Sequence, residues 1–221
     1  MDIPGLIRKC SMLQGELDMI YVNDIMQKDY RLRDLEWSEG SKLGTGAFAI
    51  VYAAKLRQGD TYIDVALKWF KDSVRNHTVT DILLEDRTMR EMKHRYLIRY
   101  YGCTLQVLKS KLHWIMILEY CKCTLKDKLI SVDHQNPGKV DESLQQQPKL
   151  EMARYASQIC QGLEFLHSRD LMHRDLKLEN VLLTKEDVIK LTDVGLSKPQ
   201  DDISGTLAGS PVYMAPEVHL Q

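Results

Sequence analysis

The chain has 221 residues, 44% of them hydrophobic and 28% charged, with a formal net charge of -1. That length holds one domain or two small lobes around a hydrophobic core, and the composition is that of an ordinary globular protein. The balanced charge offers no basic field to nucleic acid or an anionic membrane. The first ten residues contain no apolar signal core, and the longest compact apolar run, Trp114–Leu118, is too short to span a bilayer. Five scattered cysteines (Cys10, Cys103, Cys121, Cys123 and Cys160) favour reduced thiols in a cytoplasmic setting. Cys121-Lys122-Cys123 lacks the second ligand pair that a zinc site needs.

No internal repeat is visible. Residues 1–34 read as an extension, with Leu13, Leu17, Ile20, Val22 and Ile25 near helical spacing. A first strand spans Leu35–Leu43. Gly44 and Gly46 follow, one residue apart, and alternating apolar residues come next, so the glycines belong to a hairpin turn whose N–H groups can approach phosphates. Asp64–Phe70 reads as a third strand with Lys68 inside its apolar run. A helix capped by Thr78 or Thr80 is expected to run to about His94. Ile82, Met89 and Met92 share a face of it with Glu85, and a carboxylate on a buried face needs a partner. Lys68 is the obvious one. The bland alternative turns Glu85 to solvent beside Arg90 or Lys93.

Leu97–Leu105 and His113–Leu118 read as two further strands. Thr124–Ile130 reads as a short helix and Ser131–Pro148 as a polar surface loop. Lys149–His167 is the clearest helix, with an expected core stripe of Met152, Ala156, Ile159, Leu163 and Leu166. The stretch His173-Arg174-Asp175-Leu176-Lys177-Leu178-Glu179-Asn180 then packs an imidazole, two cations, two acids and an amide into eight residues. The Asp175 carboxylate can accept a proton from an attacking hydroxyl, Lys177 can neutralise a phosphoryl oxygen, and the Asn180 amide oxygen can hold a hard metal ion. Val181–Leu183 and Val188–Leu191 form a small hairpin that lets Asn180 and Asp193 meet around one Mg²⁺. Together these groups form a set for moving a phosphoryl group.

The ordered series Gly44/Gly46, Lys68, Glu85, Asp175, Lys177, Asn180, Asp193 and Ala215-Pro216-Glu217 resembles the eukaryotic protein kinase domain over about Leu35 to the end. Lys177 and Gly209-Ser210-Pro211 are similar to the serine/threonine type. His-Arg-Asp-Leu-Lys-Leu, the non-phenylalanine Asp193-Val194-Gly195 and Lys198-Pro199 are similar to the dual serine/threonine and tyrosine protein kinase group. The sequence departs from the family pattern at Ala49, where a third glycine is usual, and at Val194, where phenylalanine is usual.

The resemblance implies an α+β, bilobal fold, with a small lobe of antiparallel sheet plus one main helix and a mostly helical large lobe. It implies a small lobe and hinge over 35–121 and a partial large lobe over 122–221. The cofactors it implies are ATP and Mg. Nucleotide contacts would come from Leu43, Gly44, Thr45, Gly46, Ala47, Phe48, Ala49, Val51, Ala66 and Lys68, from Glu119 and Cys121 in the hinge, and from Leu182. Asp175, Lys177, Lys68 and Glu85 would be catalytic, and Asn180 and Asp193 would hold metal. The partners implied are a protein substrate offering serine, threonine or tyrosine hydroxyls and an upstream kinase, or self-phosphorylation, acting at Thr206 with Ser204 next in line. A family domain continues past Glu217, so the chain is expected to be C-terminally incomplete and a poor enzyme alone. The alternative is a pseudokinase or kinase-shaped scaffold that binds nucleotide or partners without turnover.

Overall fold

The computed structural model describes residues 30–46, 49–71, 86–108, 111–135, 146–194 and Tyr213. By contacts, the chain divides into two compact units. The first is Met1–Arg90 with Tyr100–Tyr120, and the second is Glu91–Arg99 with Cys121–Gln221. The chain therefore passes between units at 90/91, 99/100 and 120/121.

The first unit is built on a five-stranded antiparallel sheet. Its strands are β1 (Leu35–Thr45), β2 (Ala49–Gln58), β3 (Thr61–Phe70), β4 (Tyr100–Leu108) and β5 (Lys111–Glu119), in the order β1-β2-β3-β5-β4. Side chains alternate across a strand. Val65, Leu67 and Trp69 of β3 therefore join Ala54, Leu56, Ile115 and Ile117 in one buried cluster. Ala66, Lys68 and Phe70 face the other way, where Phe70 packs with Ala49, Cys103, Trp114 and Met116. A 3₁₀ turn, Leu32–Asp34, touches both β2 and β4, which have two strands between them in the sheet. Only a sheet curled around its first cluster allows that, and Tyr30 and Leu32 pack onto the same cluster. This closure leaves Leu56, Val65, Leu67, Ile115 and Ile117 fully buried. Trp37, Tyr52 and Trp69 pack against one another in tilted and edge-on contacts, with ring centroids 5.0–6.3 Å apart.

The helix expected to reach His94 is described over 86–91 and stops there (α1). The residues beyond it have better partners in the second unit. His94 stacks on Phe165 with centroids 4.6 Å apart, and Leu97 and Ile98 are buried. Ile98 N–H donates to Leu191 O and Leu191 N–H to Tyr96 O, at 2.9 and 2.8 Å. Leu97–Arg99, expected as the start of a strand, forms this isolated bridge instead, and β4 begins at Tyr100.

In the second unit a three-stranded sheet holds β6 (Cys123–Thr124), β7 (Val181–Leu183) and β8 (Ile189–Leu191). Helix α2 spans Leu125–Gln135, further than the expected Ile130. Thr124 and Asp127 cap it reciprocally: Asp127 N–H donates to Thr124 Oγ1 at 3.0 Å and Thr124 N–H to Asp127 Oδ2 at 3.2 Å. Helix α3 spans Gln146–His167, so its first turn takes in residues expected as loop; Pro148 is tolerated there because first-turn N–H groups have no helical acceptor. It ends on Asp170 at φ 56, with Leu171 N–H reaching back to Leu166 O and Asp170 N–H to His167 O.

The buried line of α3 is Tyr155, Gly162 and Leu166, with Gln158 half-buried beside it. The expected stripe shares only Leu166 as a buried member; Ala156 is exposed and Met152, Ile159 and Leu163 are half-buried. The helix lies along β8: Gln158 Oε1 accepts from Ile189 N–H at 3.0 Å, and a Cβ at Gly162 would stand 2.9 Å from Leu191 Cδ1. Among the described residues, no helix is long and apolar enough to cross a membrane.

Candidate active site

Each unit carries part of the expected site. In the first, Gly44 and Thr45 still belong to the β1–β2 ladder, opposite Val51 and Ile50. Gly46 makes the turn, donating its N–H to Ala49 O at 2.8 Å. Neither glycine has positive φ. A Cβ at Gly44 would meet nothing within 4 Å, and one at Gly46 would make only ordinary contact with Ala49 O at 3.6 Å. Neither backbone strain nor packing demands glycine here. The missing side chains leave open space beside the main chain, which suits the approach of a phosphate.

Leu43 is exposed, Val51 half-buried and Ala66 buried. Lys68 sits between Val51 of β2 and Met116 of β5, half-buried, with its ammonium 5.3 Å from the centroid of the Phe70 ring. Glu119 closes β5, half-buried and opposite Val65. Ala47, Phe48 and Glu85 lie outside the described residues, and so do Thr206, Ser204 and Ala215-Pro216-Glu217.

In the second unit, Cys121 is half-buried at the entrance, and Leu182 is half-buried in β7 opposite Lys190 and Thr124. The loop before β7 holds the densest polar arrangement. Asp175 N–H donates to His173 O at 2.9 Å across Arg174, whose φ is 62. That is a three-residue turn of the strained hand, which turns the chain sharply just ahead of Asp175. Lys177 Nζ donates to Asp175 Oδ2 at 2.7 Å and Asn180 Nδ2 to the same oxygen at 2.9 Å. Asn180 Nδ2 also reaches Asp175 O at 2.8 Å. Asn180 is 5% exposed, and the 3₁₀ turn Leu178–Asn180 delivers it straight into β7.

Thr192 N–H donates to Asn180 O at 3.0 Å, continuing the β7–β8 ladder by one rung. Asn180 and Asp193 thus stand at the same open end of the hairpin. Asp193 has φ 61, a left-handed conformation that aspartate tolerates better than most residues, and Val194 beyond it is fully buried. The donor set fits magnesium in kind. Its amide nitrogen committed to Asp175, Asn180 keeps its amide oxygen for a ligand, and Asp193 adds a carboxylate; Mg²⁺ takes few protein oxygens and keeps water or phosphate for the rest. Among the described residues no cluster of three or more His, Cys, Asp or Glu side chains could hold a metal.

Sequence reasoning gave no role to the His173 ring, named only as the imidazole of its stretch, and passed over Asp187 and Asp86. His173 is 3% exposed, and neither ring nitrogen closes a hydrogen bond. Burial lowers its pKa and favours the neutral ring, against a weaker opposing pull from the Thr192 backbone. Asp187, in the β7–β8 turn at φ 61, accepts from Tyr155 Oη, from Lys122 Nζ at 3.0 Å and from Arg154 Nη2 at 2.8 Å. Asp86, fully buried in α1, accepts from Tyr100 Oη and pairs with Arg90 at 2.9 Å. For Asp187 and Asp86 the only sequence signal was a charged residue beside an apolar run, which many surface residues share.

A sequence profile described as the protein kinase domain matches residues 37–220. Serine/threonine-protein kinase pakH of Dictyostelium discoideum is 31% identical over 213 residues, covering 92% of this chain and 38% of the relative. cAMP-dependent protein kinase type 3 of Saccharomyces cerevisiae is 31% identical over 182 residues, 80% of this chain and 40% of its own length. CBL-interacting protein kinase 30 of Oryza sativa is 34% identical over 193 residues, 82% of this chain and 36% of its own. The chain thus spans about two-fifths of these relatives. Since the match begins in β1 and takes in the glycine turn, Lys68, the Asp175 loop and the hairpin alike, the chain belongs to the protein kinase domain family.

Proposed function

We propose that this protein transfers the γ-phosphoryl group of Mg-ATP to serine and threonine hydroxyls of a protein substrate. The observation that carries the reading is the convergence of the Lys177 ammonium and the Asn180 amide on one carboxylate oxygen of Asp175. That arrangement fixes a base and sets a cation beside it. In the reaction the substrate oxygen bonds to the γ-phosphorus, the bond to the β–γ bridging oxygen breaks, and ADP leaves. The hydroxyl proton passes to Asp175, and Lys177 offsets charge on the moving phosphoryl group. Asn180 and Asp193 would hold magnesium, which supplies charge neutralisation on the phosphates.

In the first unit the open main chain at Gly44 and Gly46 receives phosphates, and Lys68 supplies a cation, with Glu85 as its partner. Leu43, Thr45, Ala47, Phe48, Ala49, Val51, Ala66, Glu119, Cys121 and Leu182 line the nucleotide. Thr206 is the regulatory phosphosite, modified by an upstream kinase or by the protein itself. The test is Asp175→Asn in the full-length protein. Radiolabel transfer should fall by about 10²–10⁴-fold, the usual worth of a positioned base, while ATP affinity stays unchanged. Transfer close to wild type would remove Asp175 from the chemistry.

A further inference from the structure

Lys71 lies just past β3 and was not among the expected site residues. The sheet register explains where it ends up. Phe70, the last residue of β3, is paired with Ala49, the first residue of β2. The residue that follows Phe70 is therefore brought alongside the turn that precedes Ala49. There Lys71 Nζ donates to Gly46 O at 2.6 Å. Gly46 is then held from both ends, its N–H on Ala49 O at 2.8 Å and its carbonyl on an ammonium.

We propose that Lys71 is a positioning residue for the glycine turn: its ammonium pins the Gly46 carbonyl and so holds the turn's main chain ready for nucleotide phosphates. Fixing that carbonyl restricts the rotation of Gly46's own main chain, because the peptide group it belongs to is planar. Gly46 has no side chain of its own to anchor it, and glycine has the most backbone freedom to lose when a ligand orders it. A charged donor from the neighbouring strand settles part of that ordering before the ligand arrives. Lys71 does this from an exposed position, without joining the core. The proposal rests on the reading of the first unit as the nucleotide-binding one.

The test compares ligands with and without phosphates on the full-length protein. Mg-ATP, Mg-ADP and adenosine are titrated calorimetrically into wild type, Lys71→Met and Lys71→Arg. Lys71→Met should weaken ATP and ADP by roughly three- to tenfold, the usual worth of one such hydrogen bond, and leave adenosine unchanged. Lys71→Arg, which can still donate to the carbonyl, should restore most of the loss. The ligand-free melting temperature should not move, because the lysine is outside the core. Equal weakening of adenosine and ATP, or no weakening of either, would overturn the role of Lys71 while leaving the nucleotide reading intact. A wild-type protein that binds neither ATP nor ADP would overturn the nucleotide reading and the Lys71 proposal with it.

Discussion

A single hydroxyl settles much of the environment of Asp86 in α1. Asp86 is a fully buried carboxylate, and the Tyr100 hydroxyl is one of its donors, with Arg90 another. Burial pushes the Tyr100 hydroxyl far above the ordinary tyrosine range, and Cys103 and Asp86 add to the shift, so it remains a donor at any working pH. Replacing Tyr100 with phenylalanine keeps the ring and its place under Arg90 but leaves a buried acid one donor short. The expected cost is about 1–3 kcal/mol of unfolding free energy, read by urea denaturation. A loss below about 0.5 kcal/mol, the level of an ordinary surface change, would show that the remaining partners suffice. Asp86 was not legible in the sequence because its partner comes from β4, fourteen positions on. Helical spacing finds which face a residue occupies; it cannot find a hydroxyl contributed by another element. The Asp175 loop was legible because its interactions are local, and the groups that meet there lie within five residues of one another.

Elements of the second unit meet at Asp187. The carboxylate in the β7–β8 turn gathers Tyr155 and Arg154 from α3 and Lys122 from just before β6, with Lys128 of α2 3.8 Å away. Burial alone would raise the pKa of Asp187, but hydrogen bonds from Tyr155, Lys122 and Arg154 outweigh it and hold the acid well below the usual carboxylate range. A carboxyl that is more acidic folded than unfolded stabilises the native state above its unfolded pKa of about 4. That contribution is lost as pH falls from there towards the folded value. Asp187→Asn should therefore lower stability by about 1–3 kcal/mol at neutral pH. The gap to wild type should narrow steadily below about pH 4. Melting temperatures of both proteins across pH 2–8 would check this, and a gap that stays constant down to pH 2 would refute it. The same hub explains why the α3 stripe was misread. Periodicity counts apolar side chains, whereas this helix docks through a tyrosine hydroxyl, a glutamine amide and a glycine, two of them polar and the third without a side chain.

Viewed whole, the chain has three passages between its units where a sequence reading places one boundary, after Cys121. The strands, the glycine turn and the hairpin were legible because alternation and turn chemistry are written locally. The allegiance of residues 91–99 was not, since it depends on Leu97, Ile98 and Tyr96 meeting β8 almost a hundred residues later. This arrangement makes the protein hard to dismember. Suppose the chain is produced as two pieces, 1–120 and 121–221. The first piece carries His94, Leu97 and Ile98, all of which have their partners in the second. Burying Leu97 and Ile98 contributes roughly 1.5–3 kcal/mol apiece, and the backbone bridge to Leu191 sets their register. Co-expressed, the two pieces should copurify on a tag carried by either one, and Leu97→Asp in the first piece should separate them. Pieces that ignore each other would show that residues 91–99 belong to the second unit only while the peptide bond at 120/121 is intact.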